Sequence, residues 1–173
     1  MKTINLILSA AMAAMTISCQ QPASRQSAEP ASPPPPSDHS ALINNFLAAM
    51  DANDSTTLFA NCSENFIVYH PSYPLPLDRA GFMKHIRAVN AALTGAKHTL
   101  LESISSANGI AGRGTVTGKH TGVFNGIPPS NNDINVDWLS FAVMDENGKL
   151  KTLYIQFNQM AFMSQMGVKM PGS

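Results

Sequence analysis

At Lys97 the spacing of apolar residues changes from helical to extended, and this change limits the fold more than any other feature of the chain. Upstream, Leu42, Phe46 and Ala49/Met50 share one face of a segment from Ala41 to Ala52, preceded by Ser40, a residue of the capping type. Asp54-Ser55 starts a second, short helix with Leu58 and Phe59 as its buried side. Asp78 caps a third, in which Phe82, Ile86, Val89 and Leu93 recur at helical spacing while Lys84 and Arg87 fall on the solvent side. Between the second and third helices, Phe66 to His70 is a short strand-like run ended by Pro71, and Pro74 and Pro76 prevent regular structure up to Leu77. Downstream of the change, strands are expected over Lys97 to Ser105, Ile110 to Thr121, Ile134 to Met144 and Leu150 to Asn158. Ala107-Asn108-Gly109 and Asp145 to Gly148 supply hairpin turns. Three helices followed by an antiparallel meander imply an α+β domain, with the helices packed on one face of the sheet.

The second of these strands carries Gly112, Gly114, Gly118 and, just past it, Gly122. Glycine inside a strand marks bulges, bends and close approach of another backbone, so the sheet should be strongly curved. The spacing is not that of a dinucleotide-binding loop, and no strand–helix–strand unit surrounds it.

The amino terminus reads as an export signal. Met1-Lys2 leads into an apolar run from Ile4 to about Met15 and closes on Thr16-Ile17-Ser18-Cys19. The run is too short for a membrane-spanning helix, which needs about 20 apolar residues. The residues before Cys19 resemble the bacterial lipoprotein box, which implies acylation of Cys19; ordinary cleavage near Ala11 to Ala14 is the alternative. Residues 20–39, rich in Pro, Ser and Ala with Pro33 to Pro36 consecutive, cannot bury enough surface to offset their ordering entropy and read as a tether. Residues 1–19, 20–39 and 40–173 are thus a signal with its lipidation cysteine, a tether and one domain. The expected address is the cell envelope, lipid-anchored on the periplasmic side of the outer membrane, with secretion to the periplasm as the alternative.

Lys and Arg number 11, as do Asp and Glu, and no basic stripe appears, which argues against a nucleic-acid partner. Cys62 is the second of two cysteines, so no disulfide framework exists despite the oxidising destination. It reads as a core thiol rather than a nucleophile.

The order helix, helix, strand, helix, then a four-stranded curved sheet resembles the cone-shaped α+β barrel of nuclear transport factor 2 and ketosteroid isomerase. Within it, Gly118-Lys119-His120-Thr121-Gly122-Val123-Phe124-Asn125-Gly126-Ile127-Pro128-Pro129 resembles the "G-T-H-x-G-x-F-x-G-x-P-P-T-G" stretch of the SnoaL-like polyketide cyclases. Asp145 to Leu150, through Asn158, to Gln165-Met166-Gly167 resembles their "D-G-K-I … E-x-W-x-x-x-D … Q-L-G" segment. The resemblance covers about Leu42 to Gly167. It implies a cone-shaped barrel of three N-terminal helices on a strongly curved, mainly antiparallel four-to-six-stranded sheet, and polyketide ring closure by aldol chemistry without metal or organic cofactor.

In the last strand Tyr154, Gln156 and Asn158 alternate with Leu153, Ile155 and Phe157. If the polar set faces the cone interior, these three meet a ligand; a solvated polar face is the alternative. Asn158 takes the place that resembles the cyclases' general-base aspartate, and Thr152 the preceding Glu position. A neutral amide cannot accept a proton from a carbon acid near pH 7, although it can donate a hydrogen bond to an enolate oxygen. Any base must come from elsewhere, and His70, His85, His98 and His120 are of the right type. His120 is preferred, because it lies in the family-like motif and shares parity with Gly118 and Gly114; a histidine hydrogen-bonded within the strand is its alternative. His70 stands either at the mouth of the cone or merely at a strand end, and His85 either near the site or at the edge of the core stripe. Trp138 lines the pocket or packs the sheet. Ile127 to Pro129 and Met160, Met163 and Met166 add apolar wall, or in the case of the methionines packing or a dimer contact. None of the histidines has zinc-site spacing.

The expected function is therefore an exported domain that binds a small apolar or carbonyl-bearing molecule. His120 and Asn158 are the catalytic candidates for cofactor-independent cyclase- or isomerase-type chemistry, and His70, Trp138, Tyr154 and Gln156 the ligand-binding ones. A non-catalytic envelope ligand-binding or interaction lipoprotein is the alternative, and the expected partners are a small-molecule ligand, the membrane through the lipid anchor and a second copy of the chain in a homodimer.

Overall fold

The computed structural model of the chain describes residues 39–169. The signal segment with Cys19, and the tether as far as residue 38, lie outside the described residues. No helix among the described residues is long and apolar enough to cross a membrane.

Helix α1 spans Ser40–Asp51 and buries Phe46, Leu47, Ala49 and Met50. It begins one residue earlier than the capping role given to Ser40 implied: His39 occupies the cap position, and its side chain makes no capping bond. Helix α2, Ser55–Ala60, is capped as expected, with the Asp54 carboxylate accepting from the backbone N–H groups of Thr56 and Thr57. Strand β1, Cys62–Tyr69, starts four residues before the apolar run at Phe66. Its beginning is held by the pairing of Cys62 with Leu150 and by the Arg79 guanidinium, which donates to the carbonyls of Cys62 and Ser63, neither of which periodicity within the segment reveals. Helix α3, Arg79–Ala92, opens on Asp78, whose side chain accepts from Gly81 N–H at 2.7 Å.

Four long strands follow: β2, Leu93–Ser106; β3, Gly109–His120; β4, Asp133–Met144; β5, Leu150–Phe157. A short helix, α4, Gln159–Gln165, closes the domain. The change of period falls at Leu93 rather than Lys97, because α3 runs directly into β2. Gly95 takes the left-handed conformation at φ 69° where the β2–β3 register shifts between Thr94 and Lys97, so the first residues of the strand lack regular alternation.

The sheet order is β1-β5-β4-β3-β2. All neighbours are antiparallel except β1 and β5, which run parallel. The result is the α+β cone: helices on the concave side of a curved five-stranded mixed sheet. Gly114 permits a close approach at its centre. A Cβ there would strike the Thr99 carbonyl and the Trp138 indole.

Two apolar clusters fill the concave side. In one, the rings of Phe46, Phe66 and Phe82 meet pairwise at 6.2 Å between centroids. The other joins Ala92, Leu93, Phe124, Ile134, Val136, Phe162 and Met166. Cys62 belongs to the first cluster; its thiol donates to Leu58 O, and burial pushes it up to about 12, as befits a core thiol.

A histidine-lined cavity inside the cone

Between α1, α3 and the concave face of the sheet lies an apolar cavity of about 130 Å³. Its walls are aliphatic and aromatic, with His70, Ser72, His85, His98, Trp138 and Ser140 as the polar side chains. An engineered apolar cavity of about 150 Å³ in another protein admits benzene, so this one matches a molecule of one six-membered ring.

His70 follows the end of β1, where a bridge between Val68 and Leu77 folds the proline-rich segment back. Its Nδ1 accepts from Ser72 N–H at 3.3 Å, which leaves the ring proton on Nε2. His85 projects from the buried stripe of α3 beside Phe82, and its Nδ1 lies 3.1 Å from the Tyr73 hydroxyl. The two imidazoles are 4.3 Å apart between centroids, and Phe157 packs 5.4 Å from His70. Burial, reinforced by the neighbouring His85, holds His70 down at about 3; burial and then His98 hold His85 at about 4. Both are neutral at pH 7. Burial raises the Tyr73 phenol, which therefore stays protonated and can donate to His85. Each neutral ring then carries its proton on Nε2.

Trp138 belongs to the same wall. Its indole covers Gly114, and its Nε1–H is buried with no hydrogen-bond partner among the described residues. A buried donor without an acceptor costs roughly 1–3 kcal/mol, a cost that an acceptor reaching the indole edge would relieve.

His98, on β2, stands on the concave side with Ala96 and Leu100 and reaches Asp51 at the end of α1. Its Nδ1 is 2.6 Å from Asp51 Oδ1, and its own backbone N–H lies 3.2 and 3.0 Å from the two carboxylate oxygens. No group of three or more His, Cys, Asp or Glu among the described residues is arranged to hold a metal ion.

Of the six residues given a catalytic or ligand-binding role from the sequence, His70 and Trp138 line the cavity and His120, Asn158, Tyr154 and Gln156 do not; of the two further histidines named as possible bases, His85 and His98, both do. The alternation in β5 has the opposite sense to the one expected. Leu153, Ile155 and Phe157 line the cavity, whereas Tyr154 is 41% exposed and Gln156 and Asn158 also face water. Tyr154 stacks on Tyr69 at 4.8 Å, and pairing places both in one outer row with Phe141, Ala111 and Ile104. An apolar cavity selects the apolar parity of the strand, and the polar parity goes to solvent. Asn158 caps α4, its side-chain oxygen accepting from Ala161 N–H at 3.0 Å.

His120 is buried completely but is not among the cavity residues. Its Nδ1 accepts from Ser130 N–H at 3.2 Å, and its backbone bonds Asn131 and Asn132. The ring braces the loop that follows β3. In that loop, Asn125 and Gly126, at φ 48° and 84°, make the tight turn that pairs Phe124 with Ile127. The family-like motif thus delivers Phe124 to the cavity wall, edge-on to Phe162, rather than a histidine. Met166 is core and Met160 is exposed.

Sequence reasoning gave too little weight to His85, His98 and Asp51. The usable signals were His85 three residues after Phe82 on the buried stripe of α3, and His98 in alternation with Leu100. The pairing of His98 with Asp51, 47 residues away, has no local signature.

No curated protein matches this sequence. Several solved structures share the fold. IdmH from Streptomyces antibioticus is 18% identical with a TM-score of 0.64, over 76% of this chain and 100% of that one. AclR from Streptomyces galilaeus is 20% identical with a TM-score of 0.66, over 77% and 97%. TsrD from Streptomyces laurentii is 20% identical with a TM-score of 0.66, over 74% and 93%. The model of the SnoaL-like polyketide cyclases matches residues 41–166, which takes in every strand and all but the first residue of the helices described above, and the chain therefore belongs to that family.

Proposed function

We propose that the domain binds a small, mainly apolar molecule of about one ring that carries a carbonyl or similar acceptor oxygen. The observation that carries this reading is the buried, unpartnered Nε1–H of Trp138, a residue of the mainly apolar cavity wall. The neutral His70 and His85 rings add two further donors, so the cavity offers hydrogen bonds to an uncharged acceptor and apolar surface to the rest of the ligand. Trp138 is the single tryptophan, which makes its indole N–H resonance a direct reporter. Titration of the full chain with cyclohexanone should move that resonance downfield with saturation. A resonance that stays in place at saturating ketone removes the proposal.

For the amino terminus we propose export and acylation at Cys19, supported by the charged start, the apolar run and the small residue before the cysteine. Mass spectrometry of the protein from bacterial membranes should find a mature chain beginning at acylated Cys19, and Cys19→Ser should release it. An unacylated mature chain beginning upstream of Cys19 would select ordinary cleavage instead. For the homodimer we propose contact through the outer row around Tyr69, Tyr154 and Phe141, large exposed aromatics of the kind that interfaces cover. Sedimentation showing monomer alone would remove it.

A further inference from the structure

The binding reading makes no use of the pair formed by His98 and Asp51. Both side chains are nearly out of water, 14% and 16% exposed, and a carboxylate 2.6 Å from Nδ1 keeps the ring proton on that nitrogen. The neutral ring then presents Nε2 as a lone pair, the opposite polarity to His70 and His85. Joining α1 to β2 does not require the imidazole, because the backbone N–H of residue 98 already holds both carboxylate oxygens. The ring therefore has a chemical capacity that its structural role leaves unused.

We propose that His98, oriented by Asp51, is a general base of the cavity and removes a proton from the carbon next to the carbonyl of a bound ketone. This deepens the binding proposal and rests on it. In the step, the proton moves to His98 Nε2, the C–H electron pair becomes the C=C of an enolate, and the carbonyl π pair moves onto oxygen. The imidazolium is held against the Asp51 carboxylate. The developing oxyanion needs a donor, and Trp138 supplies one from the same face of the sheet: His98 pairs with Val116 and Val116 with Val136, two residues before Trp138. Return of the proton to carbon regenerates the ketone. His98 is the catalytic residue and Asp51 a positioning residue. The step replaces the carboxylate base that Asn158 cannot provide, and it needs no oxidant, reductant or second substrate.

The test is hydrogen–deuterium exchange at the α-carbon of cyclohexanone, followed by proton NMR with the full chain in D₂O, alongside the Trp138 indole resonance in H₂O. The wild type should accelerate exchange at least about 100-fold over His98→Ala and His98→Gln, the usual span of general acid–base catalysis, while both variants retain the indole shift. Asp51→Asn should lower the maximal exchange rate while leaving the ketone concentration at half-saturation unchanged, because the amide no longer balances the imidazolium formed in the step. Exchange in the wild type no faster than in the two His98 variants, with the ketone seen bound, overturns this inference and leaves the binding proposal standing. Absence of the indole shift overturns both.

Discussion

His98 on β2 and His120 on β3 are both withdrawn from water on neighbouring strands, yet the fold uses them for different ends. His120 accepts from Ser130 and stiffens the loop after β3, and its Nε2 is buried without a partner among the described residues. His98 faces a cavity shared with His70 and His85, and its structural link to Asp51 is duplicated by its own backbone. Burial and a family-like motif do not by themselves place a histidine at the cavity. What separates the two is open space beside the ring and the availability of another group to perform its structural task.

The largest expected consequence concerns acid. His70 and His85 stay neutral in the fold down to about 3 and 4, while in the unfolded chain they gain protons below about 6.5. Unfolding therefore takes up protons as pH falls through this window, and stability declines by up to about 1.4 kcal/mol per pH unit for each ring. Between pH 7.5 and 5 the two rings together should remove up to about 4 kcal/mol. The loss levels off as the folded values are approached. Urea unfolding at a series of pH values checks this, and the double variant His70→Gln, His85→Gln should flatten the slope. A native slope no steeper than the variant's would mean that water reaches these rings, and the contrast between a dry cavity and a braced loop would fail.

How much of this was legible in the sequence depends on the range of the interaction that decides each feature. Asp54 and Asp78 announced their helices because a cap is satisfied within three residues. The hairpin turn at Asn108 and the loop at Asp145 to Gly148 were legible for the same reason. The family-like motif and the order of elements identified the cone. The start of β1 was missed, because it is set by distant partners: Cys62 pairs with Leu150, about 90 residues further on, and the Arg79 guanidinium donates to the carbonyls of Cys62 and Ser63 across the irregular stretch before Ile67. The direction of β5 was missed for a different reason. Alternation divides Tyr154 and Gln156 from Ile155 and Phe157, but it does not say which set faces inward. The apolar lining of the cavity decides that, and it depends on α1 and α3 as much as on the strand.

His120 is the next point at which the comparison can be broken. His120→Ala removes a fully buried ring and the acceptor for Ser130 N–H, while relieving the unpartnered Nε2. A net loss of about 2–3 kcal/mol is expected, with the cyclohexanone-induced indole shift retained in the folded protein. If the variant kept its stability and lost the indole shift, His120 would be a site residue after all, and the original reading of the motif would be restored.

The smallest effect is the one that sharpens the contrast most. His98→Ala should cost no more than about 1 kcal/mol in urea unfolding at pH 7.5, because residue 98 keeps its backbone N–H bonds to Asp51 and the ring already borders empty space. A loss as large as that of His120→Ala would make the imidazole a brace between α1 and β2, and the 2.6 Å contact would need no chemical explanation. A small loss has the reverse meaning. Two titratable groups placed nearly out of water beside a cavity, with little return in stability, are then arranged for what enters that cavity.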